Sequence, residues 1–281
     1  IASCLVGSEM CIRDREWLKQ SNLDLLDARL LLSRVIGKNS AYIIAHPQER
    51  LKNEELSVLE GFKRRRQQGE SLAYILGEKE FYGRMFTVSH SVLVPRPETE
   101  ELVEHVLRLL NTKRPLKLWD IGTGSGVIAI SLKLESPNWQ LFASDVFLDA
   151  LKIAEHNAKT LAARIQFAAG SWFATSFANQ IFDAIVSNPP YIHPKDLSLA
   201  EDGVCYEPRL ALSDEHDGLE SYRILVPGAV LFLKKGGLLF LEHGANQGEK
   251  VRDLLYAESF LGVRTVQDYS GHDRFTYGYK A

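Results

Sequence analysis

No apolar run in the 281-residue chain approaches the roughly 20 residues that a helix needs to cross a bilayer, so no membrane span is expected. Cysteine is scarce. Cys4, Cys11 and Cys205 have neither metal-ligand spacing nor a pairing logic, which argues against a disulfide framework or a metal site and makes a reducing cytoplasm the expected setting. Basic excess is missing too: a formal charge of −3 argues against a dedicated nucleic-acid surface, although a local basic patch stays open. Internal repeats and low-complexity tracts are absent. The first residues, which begin at Ile1, show no periodicity and no basic n-region, so they do not read as a signal peptide. Residues 1–14 are expected to be a foreign or disordered leader outside the fold.

What is present is ordinary globular composition, 45% apolar and 25% charged, in a chain long enough for two unequal domains. From Trp17 to Gln68 the pattern is helical, with Leu23, Leu26, Ala28, Leu31, Leu32 and Val35 on one face and Asp24 placed to start a helix. The run Lys63-Arg64-Arg65-Arg66 reads as a solvated helix end, with a docking patch for an acidic or RNA-containing partner as the alternative. Between Tyr74 and Val94 the texture turns aromatic and β-branched, punctuated by Gly77 and Gly83, which predicts a hairpin. The expected organisation is a helical domain over 15–72, a hairpin linker over 73–95 and a catalytic domain over 96–281.

From Leu116 onward strands and helices alternate, the pattern of a doubly wound α/β sheet. Strands are predicted at Leu116–Asp120, Gln140–Asp145, Ile165–Ala169, Phe182–Ser187, Gly237–Glu242, Gly262–Tyr269 and Arg274–Lys280. The four-residue link Ser270-Gly271-His272-Asp273 is too short for a crossover helix, so the last two strands should pair antiparallel.

The link from the first of these strands to its helix is Asp120-Ile121-Gly122-Thr123-Gly124-Ser125-Gly126. Glycines let a backbone turn tightly and approach a ligand closely. Such a loop is shared with dinucleotide-binding folds, and Asp145, which ends the next strand where a carboxylate can hold two ribose hydroxyls, does not separate the two cases. Asp120 is more telling: an anion there repels a pyrophosphate and welcomes the charged amino-acid end of S-adenosylmethionine. Trp172, after the third strand, is either a flat wall for an adenine ring or ordinary core.

Asn188-Pro189-Pro190-Tyr191 follows the buried strand Phe182–Ser187, at the strand end where open α/β sheets place ligands. Two prolines fix two φ angles and remove two N–H donors, leaving a stiff, acceptor-rich turn beside an aromatic ring. By itself this suits a rigid turn. In company with the glycine loop it suits a planar –NH2 group, which needs acceptors in its plane and a flat surface on its face.

The glycine loop, Asp145 and Asn-Pro-Pro-Tyr together resemble a class I S-adenosylmethionine-dependent amino-methyltransferase. Four further segments narrow the likeness: Ala73-Tyr74-Ile75-Leu76-Gly77 through Phe81-Tyr82-Gly83, Val94-Pro95-Arg96-Pro97-Glu98-Thr99-Glu100, Glu207-Pro208-Arg209-Leu210-Ala211-Leu212 and Asp217-Gly218-Leu219. From about residue 17 to the end, the chain resembles the HemK/PrmC family of peptide chain release factor glutamine methyltransferases. That resemblance implies a Rossmann-like fold, a seven-stranded mostly parallel sheet with an antiparallel last strand, and a small helical amino-terminal domain that docks the substrate. It implies methylation of N5 of the glutamine in a release factor's Gly-Gly-Gln loop, a protein substrate with no stable nucleic-acid partner. By position, Gly122, Thr123, Gly124, Ser125, Gly126, Asp145 and Trp172 bind S-adenosyl-L-methionine. Asn188 touches cofactor and substrate, and Pro189, Pro190 and Tyr191 line the glutamine pocket, with Asn188, Pro189 and Tyr191 serving the transfer itself. Where relatives usually carry Asp before the Trp, this chain has Ser171, which leaves the adenine amino group short of one acceptor. Rival readings keep the chemistry and change the amine, to a ribosomal-protein glutamine or a base in RNA or DNA. A further rival removes the chemistry and leaves a binding scaffold.

Overall fold

The computed structural model describes residues 13–46, 48–177, 179–196 and 203–281. The expectations for residues 1–12, Cys4 and Cys11 among them, lie outside the described residues. The chain divides into two compact units between Leu76 and Gly77.

Among the described residues the first unit contains five helices, α1 (Asp14–Gln20), α2 (Leu25–Ile36), α3 (Ser40–Ala45), α4 (Asn53–Gln67) and α5 (Leu72–Leu76). Asp14 belongs to this fold and not to a leader, for it opens α1 and is buried, its N–H bonded to the Glu49 carbonyl. The Asp24 carboxylate accepts from the Leu26 and Asp27 amides and so satisfies two of the donors that a helix start leaves open. Gly37, at φ 67°, stops the same helix in the left-handed conformation that glycine adopts at least cost. Trp17, Ala28, Leu31, Leu32, Ile43, Leu51, Leu59 and Ile75 form the core. Leu26, assigned above to the apolar face, is exposed instead. In the basic run, Lys63 pairs with Glu60, Arg65 with Glu70 and Arg66 with Asp27, the last two at 2.6 Å. Three of its four cations therefore brace their own unit.

Tyr74, Ile75 and Leu76, read above as strand, lie in α5. The Ser71 hydroxyl accepts from the Tyr74 amide at 3.3 Å and Gly77 follows at φ 75°, so a local cap and stop outweigh β-branched composition. The hairpin is correspondingly shorter, β1 (Glu78–Phe81) against β2 (Arg84–Thr87). Tyr82 and Gly83 join the strands with positive φ at both positions, the conformation that matches strand twist in a two-residue turn.

The second unit continues with α6 (Pro97–Leu109) and then β3 (Lys117–Ile121), α7 (Val127–Glu135), β4 (Gln140–Asp145), α8 (Leu148–Thr160), β5 (Ile165–Ala169) and β6 (Phe182–Ser187). After β6 come a 3-10 turn (Val204–Tyr206), α9 (Arg209–Leu212), α10 (Glu220–Phe232), β7 (Leu233–Glu242), α11 (Gly248–Ala257), β8 (Leu261–Gln267) and β9 (Asp273–Tyr279). The seven strands β3–β9 form one sheet in the order β5-β4-β3-β6-β7-β9-β8. Pairing is parallel except where β9 meets β7 and β8. Strand β7 begins at Leu233, earlier than predicted, with a register shift opposite Phe182 and Ala184. Buried side chains on both faces explain why the strands read as continuous apolar runs. One consequence of the order positions the site. From β3 the chain runs outward to β4 and β5, then returns to lay β6 on the other side, so the loops after β3 and β6 part and open a crevice at the carboxyl edge.

Candidate active site

The loop after β3 is held from below. The Gly122 and Thr123 amides donate to the Ser144 carbonyl at 2.9 and 3.0 Å, and the Gly124 amide donates to Asp145 Oδ2 at 2.9 Å. Gly122 and Gly124 have φ of 75° and 55° and face open space, whereas a Cβ on Gly126 would stand 3.2 Å from that of Ala154. The first two glycines thus open the cavity, and the third lets α7 approach α8.

Asp120 lies behind this loop, fully buried, with Oδ2 accepting from the Thr123 hydroxyl at 2.6 Å and the Ala129 amide at 3.2 Å. It does not line the cavity as the sequence reading suggested. Burial pushes its carboxyl up to about 7, and Oδ1 has no hydrogen-bond partner among the described residues. Asp145 is the acid at the cavity wall. Its Oδ1 accepts from the Phe147 amide at 3.0 Å, and burial raises its pKa despite the backbone donors.

A cavity of about 180 Å³ occupies the crevice. Of the predicted site residues, Gly122, Thr123, Gly124, Ser125, Asp145, Trp172, Asn188 and Pro190 line it, as does Ser171. Gly126, Pro189 and Tyr191 do not. Trp172, at φ 52°, leaves the question of wall or core answered both ways: it lines the cavity and packs on the core cluster that includes Trp119, Phe142 and Phe182. The wall opposite the glycine loop comes from residues 91–99 and from Leu210 and Ala211. These two segments are clamped by buried Glu207, which accepts from the Arg96 guanidinium at 2.6 Å and the Val94 amide at 3.1 Å. Arg209 instead forms an exposed pair with Glu215. His193 faces a neighbouring cleft beside Tyr191, and its Nδ1 accepts from the Lys195 amide at 3.1 Å, so it is not placed for proton transfer at Asn188.

The Asn-Pro-Pro-Tyr loop is anchored through its own carbonyls. Pro190 O accepts from the Ser221 hydroxyl and Tyr191 O from Gln247 Nε2, both at 3.0 Å. The Asn188 side chain is anchored as well: Nδ2 donates to Thr99 Oγ1 at 3.2 Å, and Thr99 in turn donates to Glu242 Oε2 at 2.9 Å. Neither Thr99 nor Glu242 was singled out from the sequence. Glu242 ends the apolar run Leu238-Leu239-Phe240-Leu241, and an acid closing a buried strand is the same signal that marked Asp120 and Asp145.

The residues fit an adenosyl cofactor. Gly122 and Gly124 leave the space that a close backbone approach requires, Asp145 offers a carboxylate to paired hydroxyls, and an indole face lies beyond it. Comparison with known proteins agrees with that chemistry. Residues 15–77 match the profile of the PrmC N-terminal domain, and residues 99–203 match the methyltransferase small domain. The fold is similar to that of a methyltransferase from Pyrococcus furiosus, with a TM-score of 0.55 at 16% identity, covering 79% of this chain and 99% of that one. A release factor glutamine methyltransferase from Vibrio cholerae is 42% identical over 94% of this chain and 93% of its own length. The corresponding protein of Neisseria gonorrhoeae is 44% identical over 94% of this chain and 96% of its own. At that identity over nearly the whole of both sequences, the chain belongs to the family of release factor glutamine methyltransferases.

Proposed function

We propose that this chain transfers the methyl group of S-adenosylmethionine to the side-chain amide nitrogen, N5, of the glutamine in the Gly-Gly-Gln loop of a peptide chain release factor. One observation carries the reading. Asn188 lines the crevice and its Nδ2 is engaged by Thr99, which leaves Oδ1 as the side-chain acceptor for a substrate amide. An amide –NH2 presents two donors, and among the described residues the carbonyls of Pro190 and Tyr191 are already engaged. Asn188 Oδ1 and the Pro189 carbonyl are the acceptors assigned to it.

Bound S-adenosylmethionine supplies an activated methyl on a sulfonium, so the task of the protein is positioning. Gly122, Thr123, Gly124, Ser125, Asp145 and Trp172 hold the cofactor, and Asn188 meets both it and the substrate. An amide nitrogen is a weak nucleophile because its lone pair is delocalised into the carbonyl. Two acceptors on its protons orient that lone pair and favour the positive charge that develops on nitrogen during transfer. Holding the reactants in line contributes on the order of 7–11 kcal/mol at most. No general base is needed, since the proton leaves after transfer, when the nitrogen is far more acidic. Tyr191 stiffens the loop beside the amide, residues 15–72 dock the release factor, and the reaction takes place in the cytoplasm.

The test is methyl transfer from labelled S-adenosylmethionine to a purified release factor, run beside a Gln→Ala variant of its loop and total RNA. Label on the unaltered factor alone supports the reading. Label on RNA, or equal label on the Gln→Ala variant, overturns it. Asn188→Ala should reduce turnover by roughly two orders of magnitude, by analogy with removing one preorganised polar contact. Turnover near that of the unaltered chain would refute the role given to Asn188.

A further inference from the structure

The part of the molecule that the proposed chemistry leaves unused is a buried polar cluster directly beneath Asn188. Thr99 comes from α6, Glu242 from the end of β7 and Arg274 from β9, and Glu242 is 1% exposed. An acid so buried needs partners. It has the Thr99 hydroxyl at 2.9 Å, and the Asn188 amide reaches it as well. The Arg274 guanidinium faces it while donating to Asp268 Oδ2 at 3.0 Å, and the same guanidinium reaches the Tyr191 hydroxyl.

The direction of hydrogen bonding in this cluster matters more than its strength. A threonine hydroxyl has one proton, and an ionised carboxylate only accepts. With the Thr99 proton given to Glu242, the Thr99 oxygen can only accept from Asn188, so the atom facing it must be Nδ2 and the atom facing the cavity must be Oδ1. We propose that Glu242, acting directly and through Thr99, is a positioning residue that fixes the Asn188 side chain with its oxygen toward the substrate amide. The inference rests on Asn188 acting as an acceptor for that amide. Without the carboxylate charge the chain of bonds can reverse: Glu242 donates to Thr99, Thr99 donates to Asn188 Oδ1, and an –NH2 then confronts the –NH2 of the substrate.

The surroundings make that charge titratable near neutrality. Burial raises the Glu242 carboxyl to about 7, and Glu98 of α6 adds to the rise, while Thr99, Arg274 and Asn188 oppose it. The remaining groups that face it are the hydroxyl of Tyr191 and that of Tyr222, which donates to the Glu242 carbonyl at 2.8 Å. The ionised form orients Asn188, so turnover should rise with pH through the region around 7.

The experiment compares Glu242→Gln, Thr99→Val and Thr99→Ser with the unaltered chain, using a full-length release factor, and measures kcat, KM and cofactor Kd for each. Expected are kcat losses of about tenfold or more for Glu242→Gln and Thr99→Val, with Kd and KM within about twofold, by the scale of a lost preorganised contact. Thr99→Ser, which keeps the hydroxyl, should retain kcat within about twofold. Adding Glu242→Gln to Asn188→Ala should cost nothing further, because coupled groups are not additive, and the rise in kcat around pH 7 should vanish in Glu242→Gln. Multiplying losses in the double variant, full kcat in Glu242→Gln, or equal losses in kcat and cofactor affinity would each overturn the proposal. A substrate-free measurement separates this outcome from failure of the proposed function. The side-chain ¹⁵N–H2 protons of Asn188 should exchange slowly with solvent in the unaltered chain and fast in Glu242→Gln. Equal exchange rates overturn the inference, whereas an unaltered enzyme that leaves the release factor unlabelled overturns the function instead.

Discussion

Replacing Asp145 by Asn is the sharpest probe of the cofactor side of the crevice, because it alters charge and one donor pattern without changing shape. In the free chain each Asp145 oxygen already accepts a backbone amide, Gly124 at 2.9 Å and Phe147 at 3.0 Å, and the Val146 amide reaches the same carboxylate. The remaining lone pairs are those assigned to the ribose hydroxyls. Asparagine keeps one oxygen, so one of these backbone donors then faces an –NH2 group, at a cost of about 1–3 kcal/mol for a buried donor left unsatisfied. On the ligand side one hydroxyl loses a hydrogen bond to a charged group, worth about 1.5–3 kcal/mol. The affinity for S-adenosylmethionine should therefore fall by roughly 10- to 150-fold, with a modest loss of stability. Calorimetric titration with S-adenosylmethionine and with its demethylated product reads the first effect, and thermal unfolding without ligand reads the second. Both ligands should weaken by the same factor, since both carry the ribose. An unchanged Kd with a lowered Tm would show that Asp145 only braces the glycine loop, and the ribose assignment would fall.

Three other predictions follow from the same geometry. Gly126→Ala should lower stability by about 2–5 kcal/mol, combining a left-handed backbone at φ 84° with a Cβ pressed against Ala154; an unchanged thermal midpoint would refute the packing role. The Asp120 carboxyl is raised by burial to about 7, so between about pH 4 and pH 7 the folded chain holds a proton that the unfolded chain has released, and stability falls as pH rises through that window. Asp120→Asn removes this contribution, and the difference in Tm between variant and unaltered chain should shift in favour of the variant from pH 4 to pH 8. A constant difference would refute it. His193→Ala should leave kcat within about threefold, because His193 lines the neighbouring cleft, and a loss of a hundredfold or more with cofactor binding preserved would refute this by making it a base.

Much of this site was legible before any coordinates. Strand ends carry ligands in open α/β sheets, so Asp145 and Asn188 could be placed from strand pattern alone, and glycines before a helix marked the loop between them. The misreadings have physical causes. Tyr74, Ile75 and Leu76 looked like strand because side-chain type was weighed without Ser71 and Gly77, the cap and stop that close one helical turn around them. Leu26 looked like core because periodicity was counted across a helix start, where the first turn faces solvent. Lys63, Arg65 and Arg66 read as a solvated helix end because their partners Glu60, Glu70 and Asp27 are chosen by folding.

The sequence by itself determined what is local: the alternation of strand and helix, the turns that glycine and proline permit, and the acids that close buried strands. Only the tertiary structure decided which of these meet. Strand order placed the β3 and β6 loops on either side of one crevice, although 67 residues separate Ile121 from Asn188 along the chain. It brought Thr99 and Glu242, 143 residues apart, within a hydrogen bond of each other beneath Asn188. The physical reason is directional. A periodic pattern records which face of an element is dry, whereas a hydrogen-bonded cluster depends on where separate elements cross, and that is settled only when their apolar faces pack.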